Sequence, residues 1–158
     1  MKVRKASKKD WPEIRRMTAG LHGFEMKFDP RFHVDDKTGD VIGGMLEKVL
    51  RKKPGIMLVA VEGDELIGYA CGWIEKKSPH TSTQTRTGYF CDLYVKEGHR
   101  GKGTGKTLAE GVMSFFRQKG IRFVNIEVFV KNNVARDLYE SLGFEKLTFN
   151  MLIDLKKK

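Results

Sequence analysis

The stretch His99–Thr107, HRGKGTGKT, puts three glycines at alternate positions between an apolar run that reads as a strand, DLYV, and one that reads as a helix, KTLAEGVMSFFRQKG. That order forces a strand, a tight turn and a helix into direct succession. Glycines permit close backbone approach. The first amides of a helix have no intrahelical acceptor and sit at the positive end of its dipole. With Arg100, Lys102 and Lys106 alongside, the stretch suits a pyrophosphate group. Two nucleotide templates fail, however. A P-loop ending at Gly105-Lys106-Thr107 needs glycine at position 100, which is Arg100. The dinucleotide fingerprint, started at Gly101 or Gly103, needs its last glycine at Lys106 or Leu108.

The remaining pattern describes one mixed α/β domain over residues 1–158. Residues 2–6 read as a short strand. A helix follows Ser7 or Asp10 as cap, with Trp11, Ile14, Met17 and Leu21 at helical spacing. A second helix is expected over 40–52, ahead of Pro54. Two apolar runs flank EGDE, which predicts a hairpin. Residues 78–87 are polar and aperiodic and read as a loop, and GYFCDLYV is the next strand. The helix after the glycines carries Leu108, Val112, Phe115 and Phe116 on one stripe and stops at Gly120. IRFVNIEVFV alternates with Val124, Ile126, Val128 and Val130 on one face. A short helix over NNVARDLYESLGF and a closing strand over FEKLTFNMLIDL complete the order.

The net charge of +10 suggests a polyanion partner, but eight of those positive charges lie within residues 2–9 and 156–158. All 20 acidic residues lie between, against 22 basic ones. The excess is therefore terminal, which favours solvated ends over a nucleic-acid face. No apolar run approaches the roughly 20 residues of a membrane span, and Met-Lys-Val-Arg-Lys lacks a signal-peptide core. Cys71 and Cys91 both fall in apolar runs, and this usage points to a cytoplasmic protein. His22, His33, His80 and His99 show no metal spacing, so no metal is expected.

Two segments together resemble the GCN5-related N-acetyltransferase (GNAT) family. Arg100-Gly101-Lys102-Gly103-Thr104-Gly105 matches its Arg/Gln-x-x-Gly-x-Gly/Ala signature after a strand, and Asn132-x-x-Ala135-x-x-Leu138-Tyr139-x-x-x-Gly143-Phe144 follows downstream. The element order is similar over nearly the whole chain. The resemblance implies a central mixed, mostly antiparallel sheet, flanked by helices and splayed between its fourth and fifth strands. Acetyl-CoA would lie in the splay. Leu93, Tyr94 and Val95 would line its pantetheine arm, with backbone groups of Leu93 and Val95 bonding the arm and the thioester carbonyl. Amides from Arg100 through Gly101, Lys102, Gly103, Thr104 and Gly105 to Lys106 would hold the pyrophosphate, and Asn132 would contact the amide chain.

The implied reaction is direct attack of a primary amine on the thioester. An amine with a pKa near 10 must lose a proton first, and the departing thiolate gains from receiving one. Tyr139 matches the family's tyrosine acid, although its place on a stripe with Ala135, Leu138 and Leu142 also fits a core residue. Glu127 stands where related ribosomal-protein N-terminal acetyltransferases carry a glutamate that serves as the base, often through water, yet it also fits a solvated outer position. Polyamine acetyltransferases have Glu-Asp before the loop. Here the pair is Cys91-Asp92, which leaves Asp92 as the other candidate base. By fold analogy His22, Glu25 and Phe28 could face the acceptor. The acceptor class is open between small amines and protein amines, and the resemblance also allows a homodimer. Two other readings are a CoA-binding sensor without turnover and a basic nucleic-acid module. For the latter, TGYFCDLYV departs from an RNA-recognition strand at Thr87, Phe90, Cys91 and Asp92.

Overall fold

Glu62 faces Glu65 across the two-residue turn Gly63-Asp64, where Gly63 takes φ +57°, a conformation that strains any residue with a Cβ. This turn sets the register of the sheet. The computed structural model describes residues 1–77, His80 and residues 82–156. The expected loop is shorter than 78–87, because the next strand begins at Arg86. Ser78, Pro79 and Thr81 of that loop, and Lys157 and Lys158 of the basic terminus, lie outside the described residues.

The strands are β1 (Lys2–Lys5), β2 (Gly55–Glu62), β3 (Glu65–Lys76), β4 (Arg86–Val95) and β5 (Val124–Ile126). They lie in the sheet in chain order, antiparallel except for the parallel pair β4–β5. Helices α1 (Trp11–Glu25) and α2 (Thr38–Lys52) lie on one face, and α3 (Thr104–Gln118) and α4 (Asn133–Ser141) on the other.

Period-two alternation explains this layering. Ile56, Leu58 and Ala60 of β2 point to the α3 face, where Leu108, Val112 and Phe116 cover them. Met57 and Val59 point the other way, onto Ile14, Met17 and Leu46. Burying side chains of this size contributes about 1.5–3 kcal/mol each. Between β1 and α1, buried Asp10 accepts two hydrogen bonds from Arg4, at 2.7 and 2.9 Å, and one from the Ser7 amide at 2.6 Å. The Arg4 guanidinium, followed by the Ser7 donors, holds the Asp10 carboxyl well below the usual carboxylate range.

A β-bulge interrupts the β3–β4 ladder. Cys71 pairs with Asp92 and Gly72 with Phe90, so Cys91 is an extra residue on β4. The bulge flips the alternation. Phe90 lies in the α3-face core, as do Leu93 and Val95 beyond the bulge, whereas Tyr89, Cys91 and Tyr94 pack on the α1 face.

Two expectations about the C-terminal half need correcting. The strand expected over 121–130 ends at Ile126, and Val128 and Val130 are exposed. The closing strand expected over 144–155 does not form in the single chain: the segment has no strand neighbour among the described residues, and beyond Phe144 its apolar side chains face solvent. Alternation identifies a chain that can pair, but it supplies no partner.

Gly72 fits beneath the bulge without slack. A Cβ there would lie 2.7 Å from the Tyr89 carbonyl oxygen and 3.0 Å from Phe116 Cζ. Gly72→Ala should therefore destabilise the fold by about 1–3 kcal/mol, read as a lower urea midpoint. An unchanged midpoint would contradict this packing.

Candidate functional site

β4 meets β5 through only three pairs, Gly88↔Val124, Tyr89↔Asn125 and Phe90↔Ile126. From Cys91 to Val95 that edge of β4 has no strand beside it among the described residues, so the sheet opens. Backbone alternation identifies which groups face the opening. The Lys96 amide donates to Ile67 on β3 at 2.9 Å, so Tyr94 and Asp92, two and four residues earlier, also direct their backbone groups toward β3. Leu93 and Val95 direct theirs into the opening. The Val95 carbonyl there accepts a 2.9 Å hydrogen bond from Arg100 Nε. Tyr94 differs: its ring lies on the α1 face, and its hydroxyl would sit 2.8 Å from a Cβ placed on Gly20.

The glycine loop closes one end of the opening. Gly101 and Gly103 take φ +74° and +81°, and α3 starts at Thr104. The Thr107 amide bonds the Gly103 carbonyl at 3.0 Å. The amides from Gly101 to Lys106 precede it and have no backbone acceptor among the described residues. Gly105 packs beside Leu93, Val95 and Leu138, which brings the α3 N-terminus, the end of β4 and α4 to one place. The Arg100 guanidinium lies 5.3 Å from the Phe24 ring centre and 5.6 Å from that of Tyr94. Asn132 caps α4 through its Oδ1, which accepts from the Ala135 amide at 3.3 Å.

On the α1 face the bulge turns Asp92 inward. Tyr69, fully buried, donates its hydroxyl to one Asp92 oxygen at 2.9 Å, and the Cys91 thiol donates to the other at 3.1 Å. Burial is the largest influence on Asp92 and raises its pKa against these two donors and the nearby His22. The Cys91 thiol is pushed far up by its hydrogen bond with Cys71, then by burial and by Asp92, so it holds its proton. It therefore acts as a donor to Asp92, and no thiolate nucleophile is present there. Cys71, Cys91 and Asp92 bring three donor atoms within 4.8 Å of one another. The Cys91 thiol bonds Asp92 at 3.1 Å and is hydrogen-bonded to Cys71, which makes the three a hydrogen-bonded cluster.

Glu25, at the C-terminal end of α1, is drawn into the same site. Burial, followed by repulsion from Asp92, pushes its pKa up to about 7. Tyr139 lies on α4, on the other face of the sheet, with its ring edge-on to Phe90 at 5.9 Å and to Phe144 at 5.8 Å. Its hydroxyl pKa is raised by burial first and then by the charges of Asp92 and Glu25. The three groups therefore sense one another across the gap in the sheet. Aromatic rings wall the α1 side: His22 stacks on Phe32 at 4.3 Å, and Phe28 and Phe32 pack on Phe129 at 5.6 and 5.7 Å.

Of the sequence-predicted catalytic residues, Asp92 and Tyr139 lie on opposite faces of the sheet, near enough for the Asp92 charge to raise the Tyr139 hydroxyl. Glu127 stands exposed one residue beyond β5, and its charge helps raise Tyr89 to about 12, after burial and Cys91. Sequence reasoning assigned Glu25 no proton-transfer role. Burial at the end of α1 and the nearby Asp92, both created by the fold, distinguish it from the exposed acids.

The chain matches the model of the Acetyltransferase (GNAT) family over residues 3–144. Among curated proteins it is 31% identical over 91 residues to N-alpha-acetyltransferase 30 of Schizosaccharomyces pombe, a match that takes in 58% of each chain. The chain thus spans little more than half the length of that relative. Among solved structures, a tetramutant of the BH1408 protein from Bacillus halodurans superposes with a TM-score of 0.85 at 23% identity, covering 98% of this chain and 100% of that one. A predicted acetyltransferase from Clostridium acetobutylicum, solved with acetyl-CoA, gives 0.73 at 16% identity, with 99% and 97% covered. At these identities both are likenesses of fold. Among the described residues no helix is long and apolar enough to cross a membrane.

Because repulsion from Asp92 is the second cause of the Glu25 shift, Asp92→Asn should lower the Glu25 midpoint from about 7 while burial keeps it above 4.5. Carboxyl carbon NMR across pH 4–9 checks this. A midpoint unmoved by the substitution would show that the two carboxyls do not interact.

Proposed function

The chain belongs to the acetyltransferase (GNAT) family, and on that premise we propose that it is an N-acetyltransferase that moves an acetyl group from acetyl-CoA to a primary amine arriving as a cation. The observation that carries this reading is the row of unbonded amides beside the split sheet, with the Glu25–Asp92 pair near enough for its charges to raise the Tyr139 hydroxyl.

The amides of Gly101–Lys106, with Arg100, Lys102 and Lys106, supply hydrogen bonds and positive charge for the donor's pyrophosphate. The Leu93 and Val95 backbone groups offer the pantetheine arm the pairing that a fifth strand would otherwise take. An amide on that edge would also stabilise the oxyanion as the amine attacks the thioester carbonyl. Arg100 already occupies the Val95 carbonyl, so on this reading its guanidinium orients the end of β4 as well as adding charge. The Asn132 side-chain amide nitrogen is the group left to meet the donor's amide chain, since its oxygen caps α4.

Two close carboxyls disfavour a second negative charge, and an ammonium between them relieves that repulsion. Glu25, held near 7, is matched to removing the ammonium proton at neutral pH. Asp92, braced by Tyr69 and Cys91, supplies the fixed charge. Tyr139 retains its proton and is suited to donate it to the departing thiolate. The aromatic wall of His22, Phe28, Phe32 and Phe129 would exclude water from the amine. A second reading gives the base role to Glu127, favoured by its position next to Tyr89 at the paired end of the opening.

An acceptor screen with acetyl-CoA, read by thiol release and mass analysis of the product, tests the activity. CoA binding without thiol release for any amine would make the protein a sensor. For the mechanism, kcat/KM should rise with pH through about 7 as Glu25 loses its proton. Glu25→Gln should remove that limb and leave a rate that climbs only as the amine itself deprotonates. Loss of the limb in Glu127→Gln instead would transfer the base role to Glu127. Tyr139→Phe should lower kcat by roughly 10²- to 10⁴-fold while leaving CoA affinity within a few-fold, and an unchanged kcat would remove Tyr139 as the acid.

A further inference from the structure

Between the end of β4 and the glycine loop, residues 96–100 are tied to the turn of the β2–β3 hairpin by a charge cluster that takes no part in the proposed chemistry. Lys96 Nζ lies 2.8 Å from Glu13 on α1 and 2.8 Å from Glu65 on β3. His99 sets Nδ1 3.3 Å from Glu62 on β2 and Nε2 3.8 Å from Glu65. Arg16 pairs with Glu13 at the α1 end of the cluster. Asp64 in the turn and Glu97 beside His99 are exposed and make no ion pair among the described residues. The same segment reaches into the loop, where the Gly98 carbonyl accepts a hydrogen bond from Lys102 Nζ at 3.3 Å.

We propose that His99 is a pH-dependent positioning residue for the donor site: as an imidazolium it clamps the start of the glycine loop to the β2–β3 turn, and the clamp tightens acetyl-CoA binding. Each ring nitrogen faces a carboxylate, but a neutral imidazole has one N–H and one bare lone pair. Whichever nitrogen keeps the proton, the other turns its lone pair toward a carboxylate oxygen. Nδ1 is buried and makes no hydrogen bond, although Glu62 lies 3.3 Å away. Bare, that nitrogen would repel Glu62; protonated, it attracts it. The charge balance agrees. Glu13, Glu62 and Glu65 are opposed by only Arg16 and Lys96 until the imidazolium supplies the third positive charge. Histidine side chains change charge between pH 5 and 8. The clamp is thus present while His99 holds its second proton and is lost as pH rises and that proton leaves. Residues 96–100 then loosen, and Gly98 no longer holds Lys102 toward the phosphates. Glu25 works in the opposite sense but on another step, since its deprotonation speeds turnover while His99 governs donor affinity.

This inference rests on the reading of the loop as the donor's pyrophosphate site, so its test has one arm with CoA and one without. In the first, calorimetry gives the CoA dissociation constant of each variant relative to wild type, which cancels the ionisation of CoA's own phosphates. His99→Gln should weaken binding about tenfold at about pH 6 and less than about twofold at about pH 8.5. Glu62→Gln should reproduce that pH-graded loss, and His99→Arg, charged throughout, should bind at about pH 8.5 more tightly than wild type. An equal loss at both pH values in His99→Gln would make His99 a packing residue and overturn the proposal. In the second arm, the His99 ring-nitrogen shifts and the Gly101–Lys106 amide shifts of the free protein should follow one titration curve, with the amide movement gone in His99→Gln. Amides that stay still, or that move equally in His99→Gln, would overturn the clamp. Intact amide titration in a protein that does not bind CoA would support the clamp and overturn the acetyl-CoA reading instead.

Discussion

Parallel pairing between β4 and β5 stops after Phe90↔Ile126, and this early stop is the constraint on which the site depends. Had the two strands stayed together to Val95, the backbone of Leu93 and Val95 would have been consumed by a ladder. The faces of the sheet would also have been sealed from each other. Instead an apolar layer on each side holds the body closed, and the last five residues of β4 present one bare edge. The α3 N-terminus sits against that edge through Gly105. One structural omission thus sets open strand groups beside unbonded helix amides.

The bulge at Cys91 adds the chemistry. Under unbroken alternation Asp92 would share the face of Phe90 and point into the α3-side core. The extra residue turns it to the α1 side, where Tyr69 and Cys91 donate to it and Glu25 comes within electrostatic reach. Burial raises both carboxyls, and their mutual repulsion brings Glu25 to about 7. Because the sheet is open beside them, Tyr139 senses the same charges from the opposite face.

Local signals in the sequence located most of the fold. The EGDE turn, the helical stripes and the Arg100–Gly105 loop each report a backbone preference carried by a few adjacent residues, and the structure has them where those preferences put them. The proposed site was legible in part. Tyr139, Asp92 and Glu127 could be named as candidates because they sit in or beside recognisable motifs. The role proposed for Glu25 could not be read, since it rests on burial at the end of α1, on Asp92, 67 positions away in the chain, and on a bulge that alternation does not announce. The C-terminal segments show the opposite error. Residues 127–130 and 144–155 have strand-like sequences, but a strand is a relation between two chain segments, and alternation in one says nothing of where the other lies.

The central claim is that the gap between β4 and β5 receives acetyl-CoA. Amide chemical shifts, followed while CoA is titrated into the labelled protein, test it most directly. The account predicts the largest changes at Leu93 and Val95, left unpaired by the early end of the β4–β5 ladder, and at Gly101–Lys106, left unbonded at the start of α3. Saturable binding with those amides unmoved, and the changes gathered elsewhere on the surface, would contradict it.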